Sequence, residues 1–186
     1  MRSIAEQAGS ERRGDLTAAG QRDALVAGFA ALAIAIHILE AAFPSPLPGV
    51  KPGLANVVTV VVFLRWGWRM AAAVAVLRVL VGSLLVGSFL SPTFMMSAAG
   101  GVAALTALGL VALLPGRPVG ALGASVLAAL AHMGTQLMVA YVLFIPHTAL
   151  FGLVPPLLTA SLIFGTVSGI IAATVLDILA TEADSS

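Results

Sequence analysis

The sequence predicts an all-α integral membrane protein, a bundle of six transmembrane helices, and two observations support this fold class. The first is composition, because 60% of the 186 residues are hydrophobic and only 9% are charged, whereas a soluble domain carries roughly 25% charged residues. The mean hydropathy of +1.08 leaves too little polar surface for a soluble globule. The second is the division of the chain by short breaks into six apolar runs. The predicted spans are residues 24–43, 53–66, 70–87, 93–114, 119–144 and 155–180.

The first span follows a polar segment, residues 1–23, which we interpret as a mobile or interfacial cytoplasmic tail. Its length matches the roughly 20 residues that a spanning helix needs. Ala27, Ala31 and Ala35 recur at a spacing of four, which allows close approach of another helix. That helix could belong to a partner subunit or to the same bundle.

The second span is preceded by the stretch 48–56 (PGVKPGLAN), which contains two prolines, two glycines and Lys51, the only lysine. Irregular backbone of this kind is tolerated between membrane helices where it is solvated or lines a cavity. The span itself is short, which suggests a tilted or broken helix. The stretch 65–69 (RWGWR) then combines arginines with interfacial tryptophans and predicts a tight cytoplasmic turn.

The remaining spans are separated by clear breaks. An outside turn at 88–92 separates spans three and four, and the pair Gly100 and Gly101 allows close helix contact or a local bend in span four. The stretch 115–118 (PGRP) precedes span five. Pro155 and Pro156 are expected in the first turn of the last helix, and residues 181–186 form an acidic tail.

The arginines fix the predicted orientation. Those of the N-terminal tail and Arg65, Arg69 and Arg117 fall on one side, whereas Lys51 lies in a loop on the other. By the positive-inside rule both termini are cytoplasmic. We therefore predict a multi-pass protein of the bacterial inner membrane with one membrane domain, residues 24–180.

Polar residues cluster in the outer halves of the spans. Arg78 follows Arg69 by nine positions, which places it roughly 13 Å into the membrane, where an arginine costs at least about 2.5 kcal/mol and so marks a functional site or a structural brace. His37 and Glu40 share a helix face, as do His132 and Gln136. The residues predicted to bind a substrate are His37, Glu40, Lys51, Asn56, Arg78, Ser91, Thr93 and Gln136.

This one-sided set predicts an outward-opening site for a solute. Lys51 and Arg78 would suit an anionic or acceptor-rich ligand, although Glu40 could pair with either of them instead. We expect no catalysis, metal or cofactor. The chain has no cysteine, no P-loop motif and no acidic pair within its spans, and its three histidines are scattered. The net charge of +1 and the absence of a basic patch exclude nucleic acid.

Three motifs carry a family resemblance: 51–56 (KPGLAN), 77–83 (LRVLVGS) and 87–94 (GSFLSPTF). With them the chain resembles the Gx transporters, often labelled heptaprenyl diphosphate synthase component I and grouped with the S components of energy-coupling factor transporters. The resemblance implies a six-helix bundle that captures a vitamin or a cofactor or isoprenoid precursor. It also implies a transmembrane coupling subunit and two ATPases as partners, met through the stripe at Ala27, Ala31 and Ala35.

Two other functions stay open on the sequence. One is a noncatalytic accessory subunit in prenyl diphosphate or quinone synthesis, and the other is a membrane scaffold for flavin-dependent electron transfer. The synthase label fits the residues poorly as a description of catalysis, because prenyl diphosphate synthases need aspartate-rich magnesium sites and this chain has none.

Overall fold

The computed structural model describes residues 4–42, 53–116 and 119–184, and these are helical apart from short turns. This confirms the all-α prediction, and five of the helices are long and apolar enough to cross a membrane. The protein therefore has the helices of a multi-pass membrane protein. The helices are α1 (Ile4–Ala42), α2 (Leu54–Trp66), α3 (Trp68–Val86), α4 (Pro92–Leu113), α5 (Ala121–Val139) and α6 (Val154–Asp184).

Helix α1 differs from the prediction at its start. It begins at Ile4 instead of near residue 24, so the described part of the polar tail continues the first apolar helix. The apolar portion runs from Ala19 to Ala42. The tail contains no proline, which leaves nothing to stop the helix from extending beyond the apolar run.

Helix α2 is the central helix of the bundle. It contacts α1, α3, α5 and α6, and eight of its 13 residues are buried. A helix that is apolar on every side belongs in a core. At about 1.5 Å per residue it is roughly 20 Å long, whereas the hydrocarbon core of a bilayer is about 30 Å thick. Helix α2 is therefore shorter than that thickness, and its N-terminus lies at the end of the bundle where α1 and α3 finish and α4 begins, which we call the site end.

The opposite end of α2, which we call the tryptophan end, is anchored by two tryptophans. The Trp68 indole N–H donates a 2.7 Å hydrogen bond to the Leu105 carbonyl. A Cβ atom on Gly109 would lie 2.9 Å from the Trp68 Nε1 atom, so only glycine leaves room for the ring. The rings of Trp66 and Phe29 pack with their centroids 4.9 Å apart. These contacts fix α3 against α4 and α1 against α2.

We expect Trp68→Phe to lower the melting temperature by roughly 2–4 °C. Phenylalanine loses the hydrogen bond to Leu105, a net contribution of about 1 kcal/mol, which translates into a shift of that size for a chain of this length. Thermal unfolding in detergent measures it. Trp66→Phe is the matched control, since it keeps a ring against Phe29. Equal melting temperatures for the two variants would contradict this role of the indole N–H.

Helices α5 and α6 pack closely through glycines of α6. A Cβ atom on Gly165 would lie 3.1 Å from the Val126 Cα atom, and one on Gly169 would lie 2.7 Å from the Leu122 Cα atom. Small residues four apart allow helix backbones to approach in this way. The sequence analysis did not single out this pair, although its spacing was the signal that could have revealed it.

At the site end, α5 and α6 are joined by two short helical turns. A π-helical turn (Ala140–Phe144) follows α5 and lies within the predicted fifth span. A 3₁₀ turn (Thr148–Leu153) precedes α6, where the sequence predicted a loop over residues 146–154. The rings of Tyr141 and Phe151 join the two turns, with their centroids 4.9 Å apart. Helix α6 begins at Val154, so Pro155 and Pro156 lie in its first turn as predicted.

Candidate functional site

The N-terminus of α2 is capped by a carboxylate from another helix. Gly53 precedes α2 with a φ of 70° and offers no side chain as a cap. Instead the Leu54 N–H donates a 2.5 Å hydrogen bond to Oε1 of Glu40, on α1. Glu40 is buried, with 8% of its surface exposed. A carboxylate is favourable here because the first N–H groups of a helix lack internal partners and carry a partial positive charge.

Arg78 lies beside this cap, near the middle of α3. It is 8% exposed and is attracted electrostatically to Glu40. The parts of the chain that the structure describes supply no hydrogen bond or ion pair to its guanidinium group. A buried cation without such bonds is costly. Of the two pairings that the sequence left open for Glu40, Arg78 is therefore attracted to it without an ion pair, and Lys51 lies outside the described residues.

In the same region, two histidine rings pack against glycines of facing helices. The His37 ring lies against Gly82, one helical turn after Arg78, because a Cβ atom there would be 2.9 Å from His37 Cδ2. The His132 ring lies against Gly100 and interacts electrostatically with Arg78. Both histidines therefore reach the interior only because the facing residue has no side chain.

Gln136 joins this group through the same glycine. A Cβ atom on Gly100 would lie 3.0 Å from its Cγ atom. Residues of α1, α2, α3, α4 and α5 thus converge at the site end, and we call His37, Glu40, Arg78, His132 and Gln136 the polar cluster. His132 was not among the predicted substrate-binding residues. The signal for it was its position four residues before Gln136, which places both on one helix face.

The other predicted residues lie outside this cluster or outside the described residues. Asn56 is half-buried in the first turn of α2, where its N–H donates to the Gly53 carbonyl. Ser91 is the N-cap of α4, since its hydroxyl accepts a 3.2 Å hydrogen bond from Phe94 N–H and donates to the Ser88 carbonyl at 2.5 Å. Thr93 is exposed. Lys51 and Arg117 lie outside the described residues.

The predicted partner stripe lies on the surface of α1, where Ala27, Ala31 and Ala35 are all exposed. A stripe buried within the bundle was the alternative, and the structure does not bury it. The side chains that face outward are therefore small, which permits close approach of another helix.

Two further features bear on the chemistry. Within the described ranges, no group of three or more histidine, aspartate or glutamate side chains is placed to hold a metal ion. One small cavity of about 70 Å³ lies at the tryptophan end, lined by apolar residues and the Trp68 ring. It is remote from the polar cluster.

The comparison with protein families gives one match. The family model for heptaprenyl diphosphate synthase component I matches residues 29–175. The chain belongs to this family. The match confirms the resemblance found in the three motifs, and the whole polar cluster lies within the matched range. Searches of curated proteins and of solved structures give no significant match.

The heptaprenyl diphosphate synthase component I family is named for one component of a synthase, so the family name implies other synthase components as partners. Among the described residues, Glu40 is the only carboxylate in the polar cluster, and it caps the N-terminus of α2.

Proposed function

We propose that this chain is a membrane subunit that binds a small molecule from outside the cell and delivers it for uptake. The observation that carries the proposal is the polar cluster, whose two charged members, Arg78 and Glu40, are buried near the N-terminus of α2. Ionisable residues inside membrane segments are costly and are by default taken to mark functional sites, such as solute pathways. Half-length helices whose N-termini end at membrane depth are a recurring way to build transporter sites.

In this proposal the protein lies in the bacterial inner membrane with both termini in the cytoplasm, and the site end faces outward. The connections at residues 43–53, 88–92 and 145–154 would form and close the outward pocket, and Lys51 belongs to the first of them. Asn56, Ser91 and Thr93 complete the predicted site. The chain has no P-loop, so energy would come from ATPase partners through a coupling subunit that meets Ala27, Ala31 and Ala35.

The family name favours a second candidate, a noncatalytic membrane component of a prenyl diphosphate synthase. In that role the polar cluster would hold an intermediate or product beside a soluble catalytic subunit. The two candidates differ in their partners, which makes them separable by one purification.

Purification of the tagged protein from its native membranes tests both candidates. For uptake we expect ATPases and a coupling subunit to co-purify, together with a retained small molecule identified by mass spectrometry. Ala31→Leu, which places a large side chain on the exposed stripe, should reduce partner recovery at least about tenfold. Ala180→Leu, an exposed alanine of α6, is the matched control. Recovery of a prenyl synthase without ATPases would instead favour the second candidate, and recovery of no partner and no small molecule would contradict both.

A further inference from the structure

The guanidinium group of Arg78 has unused hydrogen-bonding capacity. Its five N–H donors are arranged in a planar fork that suits carboxylate and phosphate oxygens. Only 8% of the residue is exposed, and the fork forms no hydrogen bond with the described residues. Because buried charged groups are nearly always hydrogen-bonded in folded proteins, this group is expected to acquire acceptors when the site is filled.

Glu40 is the carboxylate that attracts Arg78, but it also caps the N-terminus of α2. One of its oxygens accepts the Leu54 N–H, which holds the carboxylate at the N-terminus of α2. It therefore supplies an electrostatic counter-charge to Arg78 while the fork stays open.

The surroundings of Arg78 carry no second described carboxylate. Gly82 and Gly100 let the rings of His37 and His132 and the Gln136 side chain pack close to α3 and α4. The His132 ring is hydrogen-bonded to the Gly100 backbone, and the amide of Gln136 is a group that can donate a hydrogen bond. The partial positive charge at the start of α2 favours an anion further.

We infer that the ligand presents an oxyanion, a carboxylate or a phosphate group, and that the Arg78 fork binds it while Glu40 remains on α2. This inference rests on the proposed function and names the chemical class of its substrate. Such a group supplies the two parallel acceptors that the fork lacks. Arg78 is then the residue that selects charged solutes over neutral ones.

Thermal unfolding with defined anions tests the inference. The protein is placed in phosphatidylcholine nanodiscs, and Trp66 and Trp68 fluorescence reports unfolding in chloride, acetate, inorganic phosphate or inorganic pyrophosphate at equal ionic strength. We expect at least one oxyanion to raise the melting temperature by roughly 3 °C or more over chloride, since a ligand that binds only the folded state stabilises it. Arg78→Gln should abolish the rise. Arg69→Gln, an exposed arginine on the same helix, should retain it.

Further measurements distinguish a lipid headgroup from a free solute as the source of the anion, and a second variant covers the case in which the first does not fold. A rise that requires phosphatidylglycerol in the discs and is lost in Arg78→Gln would assign the oxyanion to a lipid headgroup, and a rise in phosphatidylcholine alone would assign it to a free solute. If Arg78→Gln does not fold, Arg78→Lys replaces it and should at least halve the shift, because lysine keeps the charge and loses the fork. No response to any anion, or equal responses with and without the fork, would overturn the inference. A neutral molecule retained by the wild-type protein would overturn it too, yet leave the proposed function standing.

Discussion

Gly100→Ala is expected to weaken oxyanion binding by about 5- to 150-fold, whereas Gly101→Ala leaves it nearly unchanged. A methyl group on Gly100 would lie 2.9 Å from two atoms of the His132 ring and 3.0 Å from Gln136 Cγ. The ring and the amide must both shift, and overpacking of this kind costs about 1–3 kcal/mol. To bind the ligand, the ring and the amide must return to their present positions, and this cost corresponds to the stated range of affinity.

The neighbouring glycine provides the control for this prediction. A methyl group on Gly101 would meet only Val79 Cγ2 at 3.7 Å, an ordinary contact. Both variants add the same atom to the same helix, so helix propensity cancels between them. The measurement is the midpoint of the thermal-shift titration with the most stabilising anion. Equal midpoints for the two variants would show that the His132 position does not matter for binding.

Glu40→Gln is expected to destabilise the protein by about 3 kcal/mol, or roughly 6–12 °C in melting temperature. Glutamine can still accept the Leu54 N–H, but the negative charge that Arg78 faces is lost. Removing one partner of a buried pair of charges typically costs this much, because the other charge stays buried. Thermal unfolding in chloride measures the effect.

Two further variants show whether the loss of stability comes from the charge of Glu40. Asp177→Asn removes an exposed carboxylate from α6 and should change stability by less than about 0.5 kcal/mol. The double variant Glu40→Gln with Arg78→Gln should be more stable than the sum of the single effects predicts, because the charges are removed together. Strict additivity would mean that Glu40 acts as a helix cap and not as the counter-charge of Arg78.

The helices could be predicted from the sequence because each depends on local information. Apolar runs give the spans, and the glycines and prolines at Gly53, Gly67, Pro92 and Pro155 lie at the observed helix boundaries. Even the short second helix was visible, since the mostly apolar stretch 54–64 stands between a proline-glycine loop and the RWGWR turn. The helical start at Ile4 was missed because a charged, glycine-containing tail gives no periodic apolar signal.

The polar cluster could be predicted only in part. The positions of Arg78 near the middle of α3 and of Glu40 near the end of α1 follow from counting residues along helices. Other features depend on which helices are neighbours and on how each is rotated about its axis. These features are the attraction between Arg78 and Glu40, the Glu40 cap on α2, and the packing of His37 on Gly82 and of His132 on Gly100. One sequence does not carry that information, and so His132 was passed over although its spacing to Gln136 was noted.

The short central helix also has an electrical consequence. If water reaches the first turn of α2, the membrane voltage falls across about 20 Å instead of about 30 Å, so the local field is about one and a half times steeper. Moving one elementary charge through the full voltage involves about 2.3 kcal/mol per 100 mV. In the proposed function, an anion passed from Arg78 toward the cytoplasm would cross this field, so its release in an energised cell would contain a voltage-dependent contribution that is absent in detergent.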